Sequence, residues 1–421
     1  MTFGARLRVT AVGIGLLTAL PAAAQMSGHD STARASGGVR IQAVGLVSRV
    51  DPAVANRTLT EAYLTQPVIM AHGTALGGHV AGVLTLDFEG LTLERGQLTP
   101  GAYGEGYADR RHPHTYLHEA VAVLAGAFRG TGVSLAGGKG FVTFGTDDPM
   151  MRPFVAYPVN HHLAQILERY VIAGAVRRGP VSLEASLFNG DEPLSPGAPP
   201  DASRFGDSWA ARATLDSHLG VELQGSYAFV TSPELVSGGL DQRKWSAAAR
   251  VDRSSGPIRY ALVEWAMTDA LVGDVTTNRF SSVLAEASAD AKPVTLSLRY
   301  ENTTRPEEQR LLDTFRTSRS PTDLSIIGIT RWQTVTGALS LSRTFGKLDV
   351  APFAEVAYAR PTEELTPSAF EPREFYGASS LWMLSGGVRL GVGARHQRMG
   401  RYGAAMPNVA SSTMPGSHAG H

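Results

Sequence analysis

The stretch "VTLSLRYE", residues 294–301, decides how the rest of the chain is read. Val294, Leu296, Leu298 and Tyr300 fall on one face of an extended chain, and Thr295, Ser297, Arg299 and Glu301 on the other. Strict period two marks a strand that separates two different environments. The same alternation recurs in "VLTLDFE" (83–89), "VSLEASLF" (181–188), "WAARATLD" (209–216), "VELQGSYAF" (221–229) and "KLDVAPFAEVAY" (347–358). Each segment is about the 9–11 residues that a tilted strand needs to cross a bilayer.

Working outward, strands are expected near 41–50, 62–71, 79–91, 115–128, 132–144, 166–178, 181–189, 208–217, 221–230, 243–252, 257–267, 277–290, 293–302, 325–342, 347–358 and 379–393. One set of connections is short: "HGTALGG", "RGT", "RGP", "SHLG", "RSSG", "AK" and "FGK". They alternate with long ones at 92–114, 145–165, 190–207, 231–242, 268–276, 303–324 and 360–378. Short turns on one rim and long loops on the other describe an all-β, up-and-down antiparallel transmembrane barrel with periplasmic turns and extracellular loops. The count is sixteen strands, or fourteen if 41–50 lies outside the barrel. A soluble sandwich or propeller also alternates, but needs no such asymmetry of rims, and no blade-length repeat is present.

The first residues agree with export. "MTFGARLRVTAVGIGLLTALPAAAQ" has Arg6 and Arg8, an apolar run from Val9 to Leu20, and Ala22-Ala23-Ala24 before Gln25. This reads as a signal peptide over 1–24, too short in its apolar part to span a bilayer. A flexible segment over 25–40, a barrel over 41–394 and a flexible Met/His-containing tail over 395–421 complete the organisation. The location expected is the outer membrane of a Gram-negative bacterium, with its lipid as partner. There is no cysteine, so disulfides do not staple the fold. Lys plus Arg equals Asp plus Glu at 38 each, which speaks against nucleic acid as a partner.

Two loop blocks concentrate the polar chemistry. The first offers Glu105, Arg110, Arg111, His112, His114, His118 and Glu119. The second offers Asp147, Asp148, Arg152, Asn160, His161, His162 and Glu168. Both belong to the long-loop rim, so the blocks are expected to meet within the pore. "GEGYADRRHPHTYLHEA" and "FGTDDPMMRPFVAYPVNHHLAQILERYVIAGAVRRGPVSLEASLFNGDEP" resemble uncharacterised porin-like outer-membrane proteins of environmental bacteria, over roughly 100–193. The resemblance implies an outer-membrane barrel and carries over neither a substrate nor catalytic residues.

No enzyme motif survives inspection. "HEAVA" has Ala122 where a zincin carries its second histidine, "AGGKGF" lacks the spacing of a phosphate loop, and no G-x-S-x-G elbow occurs. Arginine–carboxylate pairs bridged by histidines would shape a constriction without metal. A metal reading takes His112, His114, His118, His161 and His162 as ligands for copper or zinc, and Met and His near both termini point the same way only weakly. The function expected is a non-enzymatic porin-like channel for passive diffusion of small hydrophilic solutes or ions. A metal-linked outer-membrane protein is the first alternative, and a non-conducting structural or adhesive barrel the second. A homo-oligomer is compatible with this, although no residue marks its interface. On the six strands of clearest alternation, inward Asp87, Glu89, Glu184, Asp216, Glu222, Glu301, Asp349 and Glu355 outnumber Arg212 and Arg299, so a weak cation preference is expected.

Overall fold

The structure is a computed structural model. It describes residues 35–406 except 55, 94–95, 100–109, 112–113, 194, 218–219, 234–238, 254–255, 292, 309–325, 365–369 and 394–397. The signal peptide expected at 1–24 therefore lies outside the described residues.

Sixteen antiparallel strands form one sheet that closes on itself. They are β1 (Ala35–Val54), β2 (Arg57–Ala75), β3 (Val80–Asp87), β4 (Leu117–Phe128), β5 (Thr131–Gly140), β6 (Arg169–Arg178), β7 (Val181–Phe188) and β8 (Ser208–Asp216). There follow β9 (Val221–Val230), β10 (Asp241–Asp252), β11 (Ile258–Val272), β12 (Val275–Ala291), β13 (Val294–Glu308), β14 (Ile326–Leu341), β15 (Leu348–Glu363) and β16 (Leu381–Gly393). Beyond Leu341, β14 resumes as Arg343–Phe345 against the start of β15. Every strand pairs with its neighbours in sequence, and β1 closes the ring on β16, from Arg40 opposite Gly393 to Asp51 opposite Trp382. Closure leaves the ring without an edge strand, the condition for a sheet in hydrocarbon.

The alternation reads out as expected. Leu296, Leu298 and Tyr300 of β13 are exposed on the outside, while Arg299 and Glu301 are buried within. Trp209, Trp265, Trp382, Phe128 and Phe345 also face outward, and Trp209, Tyr227 and Trp245 stack across three adjacent strands. Aromatic side chains at strand ends suit a lipid–water boundary. Inside, hydroxyl pairs such as Ser48–Ser385 and Ser282–Thr303 bridge neighbouring strands at 2.8 and 2.7 Å.

Several boundaries differ from expectation. β1 begins at Ala35, inside the segment expected to be flexible, and runs to Val54. The expected long loop at 268–276 is a two-residue turn at 273–274 between β11 and β12, whose strands stay paired up to Val272 and Val275. Period two continues through both segments without a turn residue to stop it until Gly273. β3 ends at Asp87, and Glu89 opens a single helical turn, Glu89–Thr92, so it is not a strand residue. The segment expected as a loose tail is packed from Arg398 to Met406, with Met399, Arg401 and Ala405 buried.

Candidate functional site: the loop inside the barrel

Residues 141–168, between β5 and β6, fold into the barrel and are almost wholly buried there. A pinch at the base sets their path. Gly145 has φ +68° and bridges to Gln165, so close that a Cβ there would sit 1.6 Å from the Ala164 carbonyl oxygen. Only glycine meets both demands without strain.

Wall carboxylates hold the loop by its backbone. Glu355 accepts the amides of Val155 and Ala156, the latter at 3.1 Å, and Glu301 accepts that of Val159 at 2.6 Å. Arg299 donates to the Ala156 carbonyl at 2.8 Å and stacks on Phe154 at 4.1 Å. Glu264 accepts the side-chain amide of Asn160 at 2.8 Å and also pairs with Arg152, which reaches Glu286 at 3.6 Å. Glu184 and Arg212 form a two-point pair at 2.7 Å, with Arg212 donating onward to the Gly145 carbonyl. Charge-assisted bonds in a dry interior are the strong kind, so the loop is clamped along its length.

The two loop blocks meet, but only in part. The Thr115 amide and hydroxyl both donate to Glu168 at 2.8 Å, and His118 Nδ1 lies 2.8 Å from the same oxygen. The Nε2 of His118 faces Asp148 Oδ2 at 3.7 Å. His114 Nδ1 lies 3.2 Å from Glu89 and 3.5 Å from Asp87, and its ring meets that of His118 edge-on at 4.6 Å. Burial works against a charged His114, yet the carboxylates of Asp87 and Glu89 beside it prevail and push it up to about 9. Burial also raises Glu168, but the His118 bond and charge outweigh it and hold Glu168 well below the usual carboxylate range.

The other expected members lie apart. Asn160 and Arg152 belong to the Glu264 clamp. His161 Nδ1 turns to the Pro158 carbonyl, and His162 lies 3.8 Å from Glu192. Among the described residues His161 and His162 are thus not gathered with His114 and His118, because the short helix His161–Ala164 turns the second pair to other partners. Glu119 accepts the Tyr402 hydroxyl at 2.6 Å. Arg110 and Arg111 pair through their backbone with Leu98 and Gln97, while Glu105 and His112 lie outside the described residues.

Asp147 marks a second centre. It receives Arg398 at 2.6 and 2.9 Å and Arg250 at 2.7 Å. Arg398 and Arg401 both reach Glu222, and Arg401 also reaches Thr214. The Tyr402 hydroxyl accepts the Phe141 amide while donating to Glu119. The packed tail thus joins the inner loop to four strands. Burial opposes the Asp147 charge, but Arg398, Arg250 and Arg401 hold its carboxyl far below the ordinary range. Burial, with Arg212 close by, brings Arg401 down to about 10. Sequence reasoning missed Arg250, Glu264, Glu286, Arg398, Arg401 and Tyr402. Alternation in "ALVEWAM" and "VLAEASAD" places Glu264 and Glu286 inward, whereas no local pattern separates "RHQRMGRYG" from a loose tail.

No family model matches this sequence, and no curated protein matches it either. Solved structures are similar in fold. An anion-selective porin from Comamonas acidovorans superposes with a TM-score of 0.51 at 11% identity, over 85% of this chain and 99% of that one. The outer-membrane channel DcaP of Acinetobacter baumannii superposes with a TM-score of 0.50 at 11% identity, over 88% of this chain and 100% of that one. What they share with this chain is the fold, a barrel of the porin type.

Proposed function

We propose that the chain is a narrow outer-membrane channel for small hydrophilic solutes and ions, more restrictive than a general-diffusion pore. The observation that carries this reading is a closed wall, apolar outside and polar inside, whose lumen is occupied by a loop clamped to the wall's own carboxylates. An adhesive barrel has no need to line its interior with charge, since burying unpaired ions is costly. On the long-loop side Trp332, Phe370 and Tyr376 pack together against Val159 and narrow the lumen further. The part-exposed inward groups lie nearer the turns.

There, four ion pairs line the turn-side mouth: Arg40–Asp349, Arg177–Asp216, Arg250–Asp252 and Arg259–Asp290. In each the aspartate is the more exposed partner, by 20% against 10% in the first and 53% against 11% in the third. Carboxylates presented to water favour cations. The effect is weak, because Arg40, Arg250, Arg389, Arg398 and Arg401 also occupy the lumen and the eight-to-two count of wall charges left them out. Liposome swelling with a graded series of sugars tests the size limit. Monosaccharides passing faster than disaccharides supports the reading, and swelling independent of solute size contradicts it.

A further inference from the structure

We propose that Asp87, Glu89 and His114 form a binding site for one divalent transition-metal ion, with zinc as the reference ion, that staples the segment before β4 to the end of β3. Asp87 closes β3, Glu89 opens the helical turn after it, and His114 arrives from 88–116 just ahead of β4. One ligand atom from each lies within 4.8 Å of the others, and all three residues are buried. The His114 Nδ1 edges, 3.2 Å to Glu89 Oε2 and 3.5 Å to Asp87 Oδ2, match the ligand–ligand spacing of about 3.3–3.5 Å around tetrahedral zinc with bonds of about 2.0–2.2 Å.

A second observation points the same way. Asp87 Oδ2 is fully buried and faces His114 Nδ1 at 3.5 Å, but among the described residues it accepts no hydrogen bond of good geometry. Its other oxygen is already engaged, accepting the Glu89 amide at 2.7 Å. A buried carboxylate oxygen that accepts no well-formed hydrogen bond is costly and calls for a cation. Glu89 is held for the task from behind, its Oε1 accepting the Thr65 hydroxyl at 2.7 Å and the Gln66 amide at 2.9 Å. Such outer bonds orient a ligating carboxylate.

The full chain, folded in detergent and stripped with chelator, is dialysed against zinc and the bound metal is measured by mass spectrometry. Cobalt(II) absorption provides a second readout of coordination. One tightly held ion per chain is expected in the wild type and in His79→Ala, a control whose ring meets the Ala125 carbonyl. His114→Ala, Asp87→Asn and Glu89→Gln should each lose that ion or weaken it at least about tenfold. Wild-type protein without a stoichiometric ion overturns the proposal whatever the variants do. So does retention of the full ion by folded Asp87→Asn, which would place the metal at the Met and His residues of the termini. Neither result depends on conductance, so this site and the channel reading stand or fall separately.

Discussion

Gly145 concentrates the problem of putting a loop inside a barrel. Its positive φ and its contact with the Ala164 carbonyl let the two arms of 141–168 meet side by side at the Gly145–Gln165 bridge. Gly145→Ala should cost about 1–3 kcal/mol in strain, read as a lowered midpoint of chemical unfolding. Asp147 sets the acid limit of the same region. Its folded carboxyl is depressed, so the stability it contributes is present above the unfolded pKa, about 3.9, and drains away as pH falls below that value. The thermal midpoint of the wild type should therefore exceed that of Asp147→Asn by a constant margin from pH 7 to about pH 5. Below about pH 4 the margin should shrink. A margin that holds unchanged at pH 3 would mean that the arginine pairs contribute nothing differential to folding.

At the scale of elements, β13 offers the cleanest check of register. Leu296 faces out and Ser297 faces in, and Leu296→Arg near the midplane should cost about 2–4 kcal/mol. Single cysteines at 296 and 297 should label with opposite preference for apolar and water-soluble reagents, and the reverse pattern would shift the strand by one residue. Barrel strands were legible because each must satisfy lipid on one side and water on the other, and that demand writes period two into the residues themselves. Strand ends were less legible: β1 and β11 continue beyond the expected bounds because alternation persists without a turn residue. The site was legible in parts. His114, His118 and Glu168 do converge, since both loops leave the same rim. Asp147 and Arg152 were found by composition, but their partners Arg398, Arg250, Glu264 and Glu286 are far away in sequence, and no local spacing encodes such a pairing.

For the whole molecule, a polar interior has been converted from an open lumen into a packed one. Glu301 and Glu355 read from the strands as free charges along an ion path, and the fold spends them on the amides of Val155, Ala156 and Val159. What remains for selectivity is the turn-side mouth with its water-exposed aspartates. The reversal potential under a KCl gradient should show a small cation preference that fades as salt rises, because screening acts over about 10 Å at 0.1 M. An anion-favouring potential would assign the field to the lumen arginines. An inner loop and a packed tail that fill the lumen should restrict passage. Single-channel conductance in planar bilayers reads this, comparing the wild type with a chain truncated after residue 393. A small conductance is expected for the wild type, and a several-fold larger one once Arg398, Arg401 and Tyr402 are gone. Equal conductance in the two, or a wild-type value as large as that of an unobstructed sixteen-strand pore, would contradict it.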